Sequence, residues 1–173
     1  MKYILSFIAI TLFFSGCGDS STEHAHADEA GAIDVMLPEN PVSVVDGVTV
    51  VEMTGNDRMK FNLESFVVPA GGQVRLTFHN RGKMPKAAMG HNVVFLSADA
   101  DSGVFATAAA AARDHDYIPV GFDDQIVAHT KLLGPGESDT IEFTVPMQAG
   151  DYEYLCSFPA HMFAGMRGVM KVE

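Results

Sequence analysis

The sequence predicts an all-β domain, a Greek-key β-sandwich with one short helical insertion around residues 102–114. Three observations carry this expectation. Short runs alternate polar and apolar residues, turn residues separate them, and one alanine-rich stretch interrupts the rhythm. Val48 to Met53 is β-branched and apolar, and Gly55-Asn56-Asp57 is expected to end it. Ser65 to Val68 closes at Pro69-Ala70-Gly71-Gly72, a turn signal. Gln73 to Asn80 alternates, as a strand with one buried face does. His91 to Leu96 is the next strand candidate. Val104 to Arg113 carries a nearly continuous run of alanine, the best helix former, and Asp101 or Ser102 can cap its start. Thr140 to Val145 and Asp151 to Cys156 alternate again, and Gly168 to Val172 closes the chain. Many short strands with a single helical interruption fit two packed sheets.

The chain has 173 residues, 47% of them hydrophobic, which suits one cored domain with appendages. A net charge of −11 argues against nucleic acid, whose phosphates require clustered Lys and Arg. Residues 1–16 read as a signal peptide: Lys2 is followed by an apolar run from Tyr3 to Phe14 that is too short for a comfortable membrane span. Phe14-Ser15-Gly16-Cys17 resembles a bacterial lipobox, with Phe14 where Leu is usual, and this implies diacylation of Cys17. Gly18 after it fits outer-membrane sorting. Residues 17–40 are then the lipidated cysteine and a small, polar, acidic tether, and residues 41–173 the folded domain. His24 and His26 in the tether could capture copper loosely, but a solvated linker is the better reading of them.

If Cys17 carries lipid, Cys156 is left as a lone thiol in an exported protein, and metal ligation is one reason to keep it unpaired. Residue types suited to a soft, redox-active metal cluster in two places. The first is Met89-Gly90-His91-Asn92; the second is Cys156-Ser157-Phe158-Pro159-Ala160-His161, followed by Met166. Singly, His91 reads as a satisfied or surface histidine, Cys156 as a core thiol and Met166 as a core methionine. Together, a thiolate, two imidazoles and a weak thioether form the ligand set of blue copper.

From Gly55 to the C-terminus the chain resembles the azurins, bacterial blue-copper proteins of the cupredoxin family. The resemblance rests on Gly55 to Asn62, Met89 to Asn92, Ile126 to Gly134 and Cys156 to His161. It implies one type 1 copper held by His91, Cys156 and His161, with Met166 as axial ligand and the Gly90 carbonyl as a weak fifth contact. Asn92 would lock the two ligand loops, and the Phe158 N–H would hydrogen-bond the cysteine sulfur. Four residues separate His161 from Met166, an interval shared with auracyanin-like proteins and plastocyanin rather than with most azurins; Met162 is the competitor. No cysteines stand at the azurin disulfide positions, and Val93 occupies a place often taken by a buried indole.

An apolar patch of Met89, Pro159, Ala160, Met162 and Phe163 is expected around the His161 edge, for docking and electron passage. The implied function is single-electron transfer between redox proteins such as a c-type cytochrome, a nitrite reductase or a terminal oxidase. The protein would act as a monomer in the bacterial cell envelope, as a periplasmic or outer-membrane lipoprotein. No acid–base pair or nucleophile stands out, and His115, His129 and Asp116 are unlinked, so an enzyme is not expected. The alternative is copper handling by a periplasmic chaperone or storage protein.

Overall fold

The computed structural model describes residues 39–173. The segments bearing the expected signal peptide, Cys17, His24 and His26 lie outside the described residues.

The chain enters through a hairpin that the sequence reading did not anticipate. β1 (Val42–Val45) turns through Asp46 and Gly47 into β2 (Val48–Asn56). Both turn residues have positive φ, 50° and 80°, the geometry that lets a two-residue loop follow the strand twist. β2 also runs through Gly55 and Asn56, where a break was expected, because β3 (Lys60–Phe61) pairs back onto them. β4 (Ser65–Val68) and β5 (Gln73–Asn80) match the sequence expectation. The first sheet has the order β1-β2-β5-β8, with β8 spanning Ser138–Thr144 and β3 attached to β2. The second has the order β4-β10-β9-β6-β7, from β6 (Val94–Leu96), β7 (Ile126–His129), β9 (Gly150–Leu155) and β10 (Arg167–Val172). The parallel pairs β2/β5 and β4/β10 arise from connections that cross between sheets, as in a Greek-key sandwich.

Alternation sets the core. Val74, Leu76 and Phe78 of β5 face Phe66, Phe95, Tyr154 and Met170 of the other sheet in one buried cluster. Each such side chain contributes about 1.5–3 kcal/mol by leaving water. Tyr154 spends its hydroxyl on the Leu63 carbonyl at 2.7 Å, and burial pushes the phenol well above its usual range.

A single helical turn, α1, stands at Lys86–Met89, and the insertion between β6 and β7 folds as α2, Ser102–Ala109. Asp101 caps α2, its carboxylate accepting from Gly103 N and Val104 N at 2.9 Å. A 3-10 turn at Arg113–His115 then completes the expected helical region. Phe105, Ala106 and Ala109 pack on Val94, Leu96, Leu155 and Met162 in a second cluster. His91 is not a strand residue as expected; it makes an isolated bridge to Leu133, and regular pairing begins only at Val94.

Candidate metal centre

Cys156 follows the last residue of β9, and Met166 precedes the first of β10, so the ligand segment is the loop of one hairpin. Cys156 N donates to Met166 O at 3.0 Å and closes it. Inside, nested turns bend the chain: His161 N to Phe158 O at 3.1 Å, Ala164 N to Ala160 O at 3.0 Å, and Met166 N to His161 O at 2.9 Å. Ala160 (φ 69°) and Gly165 (φ 93°) supply the left-handed bends this requires.

The first ligand segment is held otherwise. His91 exchanges both backbone hydrogen bonds with Leu133, at 3.1 and 2.8 Å. Gly90 lies so close to its surroundings that an added Cβ would stand 2.8 Å from Lys86 O and 3.1 Å from the Leu132 side chain. The two segments are tied by Asn92, whose Oδ1 accepts from Ser157 N at 2.9 Å and whose Nδ2 donates to Ser157 Oγ at 2.8 Å, both buried.

The ligand atoms of His91, Cys156 and His161 all lie within 4.8 Å of one another, and all three side chains are buried. Cys156 Sγ stands 3.4 Å from His161 Nδ1 and 3.9 Å from His91 Nδ1. A trigonal metal with bonds of about 2.3 Å to sulfur and about 2.0 Å to nitrogen places those atoms about 3.7 Å apart, between the two observed values. The Gly90 carbonyl is 4.0 Å from the sulfur. Met166 is fully buried in the main core, and Gly55 leaves room for it: a Cβ there would meet the Met166 methyl at 2.7 Å.

Burial disfavours charge on all three groups in the metal-free chain. Burial pushes the Cys156 thiol up to about 12, opposed by backbone N–H groups of Asn92 and Phe158. A bound metal ion would supply the counter-charge that lets the thiol ionise there. Burial lowers His161 to about 4, helped by the neighbouring His91, and lowers His91 as well. Both rings are therefore neutral near pH 7, with lone pairs free to ligate. Among the described residues His91 Nε2 is buried without a hydrogen-bond partner, while the Asn56 carbonyl and the Asp57 carboxylate favour its proton. The donor set and its spacing fit copper.

One expected docking residue is elsewhere. Met162 is 4% exposed and packs in the second cluster with its sulfur 3.8 Å from Arg167 Nη1, so it does not line the surface. The turn that presents His161 also rotates its successor inward, onto α2. Ala160 and Phe163 are exposed, Met89 and Pro159 partly so. His115, His129 and Asp116 share a groove of about 490 Å³, without converging as ligands. Sequence reasoning missed the Asn92 N–H facing the sulfur, the Asn56 and Asp57 influence on His91, and Tyr117, whose ring meets Phe158. Gly55-Asn56-Asp57, adjacent in sequence and rich in turn formers, was the available signal for the second of these.

Residues 48–173 match the family model described as copper binding proteins, plastocyanin/azurin family. The chain is 43% identical over 122 residues to an azurin-2 of Alcaligenes xylosoxydans xylosoxydans, covering 68% of this chain and 92% of that one. It is 38% identical over 125 residues to an azurin of Alcaligenes faecalis, covering 70% of this chain and 96% of the relative. Among solved structures, it resembles a dithionite-reduced auracyanin of the photosynthetic bacterium Roseiflexus castenholzii, with TM-score 0.61 and 32% identity over 75% of this chain and 99% of that one.

Proposed function

The chain belongs to the plastocyanin/azurin family of copper-binding proteins, a cupredoxin that carries electrons on one type 1 copper, and from that premise we propose that it is a membrane-tethered shuttle between redox proteins. The carrying observation is the buried convergence of one thiol and two imidazoles within 4.8 Å. In this reading His91, Cys156 and His161 would be the strong ligands, with Met166 and the Gly90 carbonyl as weaker ones. Bound copper supplies the one-electron couple Cu(II)/Cu(I).

The residues supply the rest. Asn92 and the backbone pair with Leu133 keep the ligands from moving when the charge changes. The N–H groups of Asn92 and Phe158 stabilise charge on the sulfur. Ala160, Phe163, Pro159 and Met89 offer an apolar surface beside His161 for a partner such as a c-type cytochrome, a nitrite reductase or a terminal oxidase. Residues 1–16 act as the signal, and Cys17 with the tether to residue 40 holds the domain at an envelope membrane. Tethering confines the search for partners and raises their effective concentration.

The test is the visible spectrum of the purified protein with Cu(II). An intense red-region band, bleached by reductant and absent in Cys156→Ser, is the expected result; a colourless protein would sink the reading. Rapid copper release with slow redox exchange would instead favour copper handling.

A further inference from the structure

His161 stands in the hairpin loop, whereas His91 is pinned by its backbone exchange with Leu133. His161 Nδ1 faces the cysteine sulfur, and among the described residues no hydrogen bond reaches its other ring nitrogen. A metal-bound histidine usually donates that second N–H to a carboxylate, a backbone carbonyl or water, which fixes the ring's orientation. Ring packing stands in that place. Phe158 lies against the imidazole with centroids 4.6 Å apart and planes 34° apart. Phe158 in turn meets Tyr117 at 4.8 Å and 62°, an edge-on contact.

Tyr117 comes from the insertion between β6 and β7, just past its 3-10 turn. Asp116 and Tyr117 are consecutive residues with left-handed backbone, φ 52° and 62°. Asp tolerates that conformation; a bulky aromatic does not favour it. Hydrogen bonds from Tyr117 N to Ala112 O and from Ile118 N to His115 O, both 3.0 Å, hold the bend. The bend turns the Tyr117 ring inward to 8% exposure, where it joins the main core cluster together with Phe158. Phe105, Ala106 and Ala109 of the insertion belong instead to the second cluster. A disfavoured backbone thus delivers one ring from the insertion to the metal centre.

We propose that Tyr117 is a positioning residue for copper: it wedges Phe158 against His161 and so orients the ligand imidazole that stands in the loop. The inference rests on His161 being a copper ligand. It gives the insertion a role beyond covering β6, because the ring stack transmits the insertion's packing to the ligand most exposed to change. Loosening the stack costs Cu(II) more than Cu(I), since the oxidised ion gains more from imidazole nitrogen.

The experiment compares Tyr117→Leu, Tyr117→Phe and Phe105→Leu in the full-length protein. Phe105→Leu loosens the second cluster without touching the stack. Three properties are read: the copper–thiolate spectrum, the reduction potential and copper loss to a chelator. Tyr117→Leu is expected to alter the spectrum, raise the potential and speed copper loss about tenfold. Tyr117→Phe, which keeps the ring, matches the parent on all three, and so does Phe105→Leu. Parental values in a folded Tyr117→Leu protein, or the same changes in Phe105→Leu, overturn the proposal. Tyr117→Met replaces Tyr117→Leu should the latter fail to fold, with the same expected and contrary results. In the metal-free protein the His161 ring-proton NMR shifts move toward unstacked values in Tyr117→Leu only. Unmoved shifts overturn the proposal even for a parent protein that bound no copper.

Discussion

His91 and His161 offer the same ring nitrogen to the same point, yet the fold holds them by different means. His91 is fixed by a two-way backbone pairing with Leu133, one residue before a segment buried on all sides. His161 stands in a hairpin loop between exposed Ala160 and buried Met162, with Phe163 65% exposed just beyond. The sheet-anchored ligand supplies immobility, and the loop ligand supplies nearness to the surface. An electron carrier needs both, because ligand movement slows transfer and a deeply enclosed metal cannot meet a partner.

The largest test of that difference removes each ring. His161→Gly should lose the copper–thiolate band and regain it when imidazole is added, since the loop opens toward solvent. His91→Gly should need at least about tenfold more imidazole, because every neighbour from Gly90 to Leu96 is buried. Equal restoration would erase the distinction between the two positions; absorption titrations decide.

Acid should affect the two rings in the same direction. Folding lowers His161 from 6.5 to about 4 in the metal-free chain, so the unfolded state binds the proton first as pH falls. The contribution to stability is complete above 6.5, is lost between 6.5 and about 4, and changes no further below that. The loss is about 3 kcal/mol for His161, with His91 adding to it. Urea unfolding across this range measures it, and copper loading should diminish it because ligated nitrogens cannot take up protons.

The tie between the two segments comes next. Asn92→Ala leaves the buried Ser157 N–H and hydroxyl without their partner, at a cost of about 2 kcal/mol to the metal-free protein by urea unfolding. A cost near zero would mean that the segments are positioned independently. The smallest effect is expected at Ala160, whose φ of 69° is disfavoured for any residue with a Cβ. Ala160→Gly should stabilise the fold by about 0.5–1 kcal/mol while thinning the apolar surface beside His161. Thermal unfolding and partner exchange rates check the two halves.

Much of this was legible in the residues because the chemistry is concentrated. Cys156, His161 and Met166 share one short loop, and their types alone suggest a soft metal. The alternating strands β5, β8 and β9 announced themselves by period. Other features depend on partners distant in sequence. Gly55 and Asn56 look like a break until β3 pairs with them. Met162 and Met166 are both loop methionines, and only the packing of α2 and β9 decides that the first joins the second cluster and the second the main core. Tyr117 carries no sequence signal for its role, since its inward turn depends on two left-handed residues in a row.

The most direct measurement is a pair of crystal structures of the protein, metal-free and copper-loaded. His91 Nδ1, Cys156 Sγ and His161 Nδ1 should superpose within about 0.5 Å, a site preformed by sheet and loop together. A metal-free structure with His161 swung away from the sulfur, or with the 156–166 loop refolded, would contradict it.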